Sequence, residues 1–321
     1  MQLLQKLLNK FNGLHYRQEY LCTGLESFEH PLHVYLVDNG KVIKDITKQH
    51  CFVGYCPLVF ALPASVSDKE NIHLIFTPIL CHNNDAFQKK EIVASLILKK
   101  IERKEIEETL VSFYEGSQGK HRFISSFHQY IIGLNNNLFA KKPGNVFLQG
   151  NLYHQVQIAY SIPRKICLIT VGENNLYNLF PTDLHGQISN DYYVISLRHE
   201  GKACQQVEKA KRVVLSDMPL GSYKKIYSLG KNHMQPLKDR SSFDFSASYS
   251  CNWQLPLPEC VISYKELELQ STIIYGIHKL LLFRIIHGEQ VAAGSDTLVH
   301  IHNSYATWRN NQGISGNYLL R

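Results

Sequence analysis

Polar side chains that suit a phosphorylated ligand are concentrated between residues 166 and 218. An apolar segment, ICLITVG, precedes a loop that carries Asn178, Thr182 and Asp183, and a second apolar segment, YYVISLR, ends in Ser196 and Arg198. Lys202 follows in a turn, and a short helix is predicted from about Ala203. This order places a polar loop and a basic strand end beside one sheet, which indicates a site for a planar, phosphorylated molecule.

The chemistry of this segment centres on Arg198. Alternation along a strand puts Ser196 and Arg198 on one face. Charge-assisted hydrogen bonds from Arg or Lys to phosphate are strong, and a helix N-terminus adds backbone N–H donors. Arg198 also has an ordinary interpretation as a salt-bridge residue, and Lys202 as a solvated turn residue. Asn178, Thr182 and Asp183 also have an ordinary interpretation, as residues that shape turns or cap local backbone groups.

Two further patterns have the spacing of catalytic or metal-binding residues. His300 and His302 share a strand face with metal-ligand spacing, but no further ligands accompany them, so no metal is expected. Asp183 and His185 suggest acid–base chemistry, but no nucleophile elbow occurs. The dinucleotide-binding glycine pattern is absent from the sequence as well.

Composition sets the protein class. The chain has 321 residues, 44% of them hydrophobic, and this length favours two domains. Its net charge of +7 is spread without a run of like charges, so a nucleic-acid partner is not expected. Eight cysteines without a CxxC pair favour free thiols and a cytoplasmic location. No apolar run reaches the roughly 20 residues that cross a membrane. The N-terminal segment has one apolar helical face at Leu3 to Phe11 but is too polar for a signal peptide.

Hydrophobic periodicity predicts an α+β organisation in the first third. A hairpin is expected at Asp38, Asn39 and Gly40, two strands within CFVGYCPLVFALP, and one at IHLIFTPIL. A long helix is predicted from Asn84 or Asp85 to Gly116, and a second over 122–138. KKPGN at 141–145 suggests a domain boundary.

The rest of the chain is predicted to be mostly strand. The predicted segments are NVFLQGNLYHQVQIAYSI, ICLITV, YYVISLR, RVVLSDM, YKKIYSLG, TIIYGIHKLLLFRII and TLVHIHN. Many short strands favour a closed or nearly closed antiparallel barrel. No internal repeat is evident in the amino-acid sequence. The sequence still allows the β segments of the first third to form a diverged second barrel.

The second half, from about Val146 to Tyr318, resembles the flavin reductase-like family with its FMN-binding split barrel. Three segments carry the resemblance: ICLITVG with Asn178 and Thr182, SLRHEGKACQQV with Ser196, Arg198 and Lys202, and YGIHKLLLFRII with His278. The family commonly offers a threonine to the phosphate where this chain has Lys202, Ala203 and Cys204.

This resemblance implies a split β-barrel over residues 141–321, preceded by a smaller α+β domain over residues 1–140 of unknown role. It implies that FMN binds through Asn178, Thr182, Asp183, Ser196, Arg198, Lys202 and His278, with NADH or NADPH as co-substrate, and that the protein is a homodimer. The implied activity is hydride transfer from NAD(P)H to flavin or another acceptor. The alternative is a non-catalytic flavin-binding module for storage, sensing or partner recognition.

Overall fold

The computed structural model describes residues 13–106, 109–139 and 148–319. These residues form an α+β protein of mostly antiparallel sheets with few helices. The strands are β1 (Tyr20–Gly24), β2 (His33–Asp38), β3 (Lys41–Asp45), β4 (Cys51–Tyr55), β5 (Leu58–Pro63), β6 (Asn71–Thr77), β7 (Ala94–Ile106), β8 (Thr109–His121), β9 (Arg164–Lys165), β10 (Cys167–Glu173), β11 (Leu176–Thr182), β12 (His185–Gln187), β13 (Tyr192–Arg198), β14 (Arg212–Asp217), β15 (Lys238–Asp239), β16 (Phe245–Tyr249), β17 (Pro256–Pro258), β18 (Ser263–Tyr275), β19 (His278–Gln290) and β20 (Leu298–His302). The helices are α1 (Ser126–Phe139), α2 (Asn151–Ala159), α3 (Lys202–Ala210), α4 (Tyr223–Ser228) and α5 (Asn303–Asn311).

Two sheets repeat one topology. The first has the order β3-β2-β6-β7-β8-β5-β4, and the second has the order β11-β10-β14-β18-β19-β13-β12 with β15 added beside β11. When the strands of each sheet are numbered along the chain, both orders become 2-1-5-6-7-4-3. We call β2 to β8 the first repeat, and β10 to β14 with β18 and β19 the second repeat. Neither sheet closes into a barrel within the described residues.

The two repeats pack through equivalent strands. β4 of the first repeat lies against β12 and β13 of the second, and β4 and β12 hold the same position in their sheets. Cys51 and Val53 share an apolar cluster with Val194, Leu280 and Leu282. Contact between equivalent elements is the arrangement of a symmetric dimer interface, here formed within one chain.

The contact between the repeats is close at Gly186. A Cβ atom added there would overlap the Sγ atom of Cys51, which is buried. We expect Gly186→Ala to lower the free energy of unfolding by about 1–3 kcal/mol because overpacking displaces a well-packed side chain. Urea unfolding measures this change, and adding Cys51→Ala should recover most of the loss. Equal destabilisation with and without Cys51 would contradict the packing explanation.

A separate three-stranded sheet joins the two ends of the described chain. β1 pairs with β20, with Tyr20 opposite His302, and β20 pairs with β9. The predicted boundary at 141–145 and the predicted helical face at Leu3 to Phe11 lie outside the described residues, so the division at residue 140 stays a prediction.

The predicted long helix from residue 84 to Gly116 is wrong, because this segment contains the β7–β8 hairpin. Leu96 and Leu98 are buried on one strand face, whereas Ile97 between them is 37% exposed. β-Bulges shift the register at Ile97/Leu98 and at Lys100/Glu102. Each bulge interrupts the two-residue alternation, so the apolar spacing imitates a helix.

Three predicted strands also differ from the structure. The segment before Pro163 contains α2, and YKKIYSLG contains α4. In α2, Gln155 to Ala159 are all buried, so the one-sided periodicity that marks a helix is lost. TIIYGIHKLLLFRII is a hairpin of β18 and β19, and Gly276 in its turn has a φ of 57°.

Other elements agree with the sequence. The hairpin at Asn39 and Gly40 has φ values of 50° and 76°, as a tight two-residue turn requires. The helix predicted over 122–138 is present as α1, and the strands at β4 to β6, β10, β13, β14 and β20 occur where they were expected. No helix in residues 13–106, 109–139 and 148–319 combines the length and apolar character needed to cross a bilayer.

Candidate functional site

Arg198 lies at the end of β13, where the two repeats meet. Its side chain is exposed, and its Nη2 atom donates a hydrogen bond of 2.8 Å to the hydroxyl of Tyr55, the last residue of β4. Burial raises the pKa of Tyr55, although Arg198 opposes this, so the phenol stays protonated at neutral pH. Tyr55 of the first repeat therefore orients Arg198, the main cation of the candidate site in the second repeat.

Ser196 and His278 form a buried layer beneath Arg198. The Oγ atom of Ser196 is 3.1 Å from His278 Nδ1, and the backbone N–H of Tyr55 donates to His278 Nε2 at 3.4 Å. Because Nε2 accepts, Nδ1 carries the proton and donates to Ser196. Burial, helped by the charge of Arg198, lowers the pKa of His278 to about 4. His278 is therefore neutral at pH 7.

The N-terminus of α3 follows directly. Gly201 is the N-cap, without a side-chain cap, and the exposed Lys202 is the first helical residue. Gly201 N–H donates to Arg198 O at 3.0 Å, which ties the helix start to the strand end. An uncapped helix N-terminus carries a partial positive charge and free N–H groups, so it suits an anion.

Asp183 belongs to a second polar network beside this site. Its Oδ2 atom accepts a hydrogen bond of 2.7 Å from the Tyr160 hydroxyl and lies 2.6 Å from His300 Nε2. Burial alone would raise the pKa of Asp183, but His300, Tyr160 and Arg164 together hold it well below its usual range. Asp183 is thus a paired anion.

Asn178 and Thr182 lie on β11, away from the surface. Asn178 is fully buried, and its Nδ2 atom donates to Gln206 Oε1 at 2.7 Å and to Asn232 O at 3.0 Å. Its Oδ1 atom has no hydrogen-bond partner among the described residues. Thr182 is buried and lies opposite Cys167 in the β10–β11 ladder. The structure therefore brings Ser196, Arg198, Lys202 and His278 together, whereas Asn178 bonds to residues of α3 and of the segment after α4.

The equivalent position in the first repeat is an open cleft of about 980 Å³. It lies at the end of β5, beside the turn between β12 and β13, just as Arg198 lies at the end of β13 beside the turn between β4 and β5. Lys44, Lys48 and Arg103 line it with Asp68, which pairs with Arg103 at 2.8 Å. The first repeat has no helix where the second has α3.

Sequence reasoning missed Tyr55, Tyr160 and the pairing of His300. The sequence signal at His300 is the HxH pattern, which has metal-ligand spacing but lacks further ligands. His300 instead contacts Asp183, and His302 Nε2 lies 3.6 Å from Glu19. Among the described residues, no group of three or more His, Cys, Asp or Glu side chains could hold a metal.

The suggested acid–base pair of Asp183 and His185 is not formed. His185 Nδ1 is 2.7 Å from the Tyr193 hydroxyl, and its Nε2 is 3.1 Å from Lys165 O. The carboxylate–imidazole pair that exists joins Asp183 to His300, which is distant in sequence. Only the apposition of β20 with the end of β11 could have revealed it.

No family model matches this sequence, and no curated protein does. Solved structures to which the chain is similar include the FMN-binding protein from Thermus thermophilus with bound p-hydroxybenzaldehyde, 20% identical over 40% of this chain and 72% of that chain, with a TM-score of 0.36. The NADH:FAD oxidoreductase of Streptomyces globisporus is 14% identical over 51% of this chain and 95% of that chain, with a TM-score of 0.42. The styrene monooxygenase flavin reductase of Pseudomonas putida S12 is 14% identical over 46% of this chain and 92% of that chain, with a TM-score of 0.38. The chain is thus similar, over about half of its length, to flavin reductases and FMN-binding proteins.

Proposed function

We propose that the second repeat is a split-barrel flavin domain that binds FMN with the phosphate at Arg198. The observation that supports this most directly is the position of the exposed Arg198 guanidinium, just ahead of the uncapped N-terminus of α3. The phosphate of FMN carries close to two negative charges, and a guanidinium and backbone N–H groups are strong partners for it. The family resemblance in SLRHEGKACQQV falls on the same residues.

The residues present fit the phosphate end of FMN well. Arg198 and Lys202 are exposed cations, and Tyr55 orients the guanidinium through its hydroxyl. The residues expected at the isoalloxazine ring are engaged within the protein, since Asn178 bonds to Gln206 and Asp183 pairs with His300. Ser196 and His278 are buried and hydrogen-bonded to each other, so ring binding would depend mainly on backbone groups.

The proposed reaction is hydride transfer from NADH or NADPH to the flavin, followed by reduction of free flavin or another acceptor. Bound flavin supplies the redox chemistry. The part of this chain is to bind the phosphate through the exposed Arg198, with the buried His278 ring neutral beneath it. This proposal needs no catalytic dyad or triad.

The family's barrels commonly pair as homodimers. In this chain the two repeats already pack through equivalent strands, β4 and β12. We propose that the internal pair takes the place of the two subunits, so that one chain forms the complete flavin site with Tyr55 from the first repeat. A homodimer of whole chains stays a prediction that a solution mass measurement tests. None of the eight cysteines forms a disulfide, which agrees with the proposed cytoplasmic location.

A non-catalytic flavin-binding module is the second candidate function. It is favoured by the internal partners of Asn178 and Asp183, because side chains bonded within the protein are not free to tune the ring. Such a module would store or sense flavin, or present it to a partner, without turnover.

Flavin absorbance and NADH oxidation separate these candidates. We expect purified protein mixed with FMN to retain flavin absorbance through gel filtration and to oxidise NADH or NADPH steadily when free flavin is supplied. Retained flavin without steady oxidation would favour the module. Absence of retained FMN at micromolar protein would refute both candidates.

A further inference from the structure

A second polar pocket lies near the beginning of β13. It has a volume of about 280 Å³, and its charged and titratable lining residues are Arg164, Lys165, His185, Tyr193, Asp217, Tyr264 and Lys265. Tyr193 precedes Arg198 by five positions, which is about 16 Å along a strand. The pocket is therefore separate from the proposed phosphate site.

Arg164 is the central cation of this pocket. It is 7% exposed, and its Nη2 atom donates to the carbonyl oxygens of Phe52, Asp183 and His185 at 2.7 to 3.3 Å. Its Nε atom has no hydrogen-bond partner, and its guanidinium forms no ion pair, within the part of the chain that the structure describes. A buried donor without an acceptor is costly, and a buried guanidinium is stabilised further by an anion in direct contact with it.

The carboxylates near Arg164 are already engaged. Asp183 is close enough for Arg164 to contribute to its lowered pKa, but its carboxylate contacts Tyr160 and His300. Asp217 accepts from Lys165 Nζ at 2.8 Å and from Ser263 Oγ at 3.0 Å. The charge of Asp183 acts on Arg164 through space, but neither carboxylate accepts a hydrogen bond from the Arg164 guanidinium among the described residues.

The remaining wall adds positive charge. Lys265 lines the pocket without an ion-pair partner among the described residues. Burial and the nearby Arg164 lower the pKa of His185 to about 4, so this ring is neutral at pH 7. Three cations, Arg164, Lys165 and Lys265, thus face the pocket against one carboxylate, Asp217.

We propose that this pocket binds a small oxyanion, a phosphate or a carboxylate, between Arg164 and Lys265. An oxyanion supplies the acceptor that Arg164 Nε lacks, and it adds negative charge to a lining in which three cations face one carboxylate. The volume lies at the lower end of the usual range for ligand pockets, so the ligand has few non-hydrogen atoms. This site does not depend on flavin binding at Arg198.

Calorimetric titration at constant ionic strength tests the site, with inorganic phosphate and acetate as separate probes and chloride as the balancing ion. We expect saturable binding of at least one probe to the wild-type chain, and the probe that binds identifies the source of the oxyanion. Lys265→Ala should weaken it about tenfold or more, the scale of losing a hydrogen bond to a charged group. Lys265 is only half-buried, so its removal leaves the core intact.

Two matched variants make the result specific. Lys238→Ala removes another half-buried strand lysine from the same sheet and should leave binding unchanged. Arg198→Ala removes the proposed flavin phosphate site, so phosphate bound there is lost while the Lys265-dependent binding stays unchanged. The proposal is overturned if neither probe binds saturably, if Lys265→Ala binds like the wild type, or if all saturable binding is lost in Arg198→Ala instead.

Discussion

Replacing Arg198 with alanine should weaken FMN binding by about 1.5–3 kcal/mol, which is roughly ten- to a hundredfold in Kd. Riboflavin, which lacks the phosphate, should lose little. The reason is that, in the proposed arrangement, the exposed guanidinium of Arg198 contacts the phosphate of FMN and not its ring. Fluorescence titration of both ligands measures the difference between them.

Two further variants sharpen this experiment. Tyr55→Phe removes the hydroxyl that accepts from Arg198 and should weaken FMN binding less than Arg198→Ala, because the cation remains but loses its orienting contact. Arg122→Ala removes an exposed arginine of the segment after β8 and should have no effect on either ligand. Equal losses for FMN and riboflavin in Arg198→Ala would mean that Arg198 acts through the fold, and the phosphate assignment would be abandoned.

The largest effect on stability is expected at Asp183. Asp183→Ala should lower the free energy of unfolding by about 3–5 kcal/mol, because this partly buried carboxylate satisfies two buried partners, and leaving each unsatisfied costs about 1–3 kcal/mol. His300 would lose its carboxylate, and the Tyr160 hydroxyl would lose its acceptor. Asp183→Asn should cost less, since an amide oxygen still accepts from Tyr160. Urea unfolding at pH 7 measures both changes.

The same carboxylate predicts a pH dependence. The pKa of Asp183 is lower in the folded protein than its ordinary value near 4, so the unfolded chain binds the proton more tightly. The contribution of Asp183 to stability is therefore complete above pH 4 and is lost as the pH falls below it. Asp183→Asn should flatten this acid limb when unfolding is followed from pH 7 to pH 3.

A surface pair provides the control for both experiments. Asp244 contacts Lys225 at 2.8 Å, but the two side chains are 65% and 43% exposed. Exposed ion pairs contribute at most about 1 kcal/mol, so Asp244→Ala should change stability little. If Asp183→Ala were no more destabilising than Asp244→Ala, the Asp183–His300 pair would not be a stabilising contact.

The sequence left a diverged second barrel in the first third open, and the local differences between the two repeats explain why it indicated no more. Its fourth strand, β5, is apolar like β13, but it continues into a loop where β13 is followed by α3. A shared strand order requires only similar apolar patterning, so two sheets with different amino-acid sequences can have the same topology. Strand order is fixed by long-range pairing, which local periodicity does not report.

The candidate site was only partly accessible from the sequence. Ser196 and Arg198 were predictable because they alternate on one short strand, and α3 because an amphipathic segment follows a glycine. The placement of His278 beside Ser196 depends on the pairing of β13 with β19, with Arg198 opposite His278. The burial of Asn178 depends on Gln206 and Asn232, which close over β11 only in the folded chain.

The sequence by itself determined the local elements with clean periodicity or turn chemistry: the Asn39–Gly40 hairpin, the strands β10, β13 and β14, and the cationic end of β13. The tertiary structure alone decided that β7 and β8 form a bulged hairpin, that two sheets share one strand order, and that Tyr55 and His300 join residues far away in the chain. The physical reason is the sequence distance over which each kind of interaction acts. Backbone preferences and hydrophobic alternation act between neighbours, whereas pairing register and the partners of buried charges are settled when distant strands pack together.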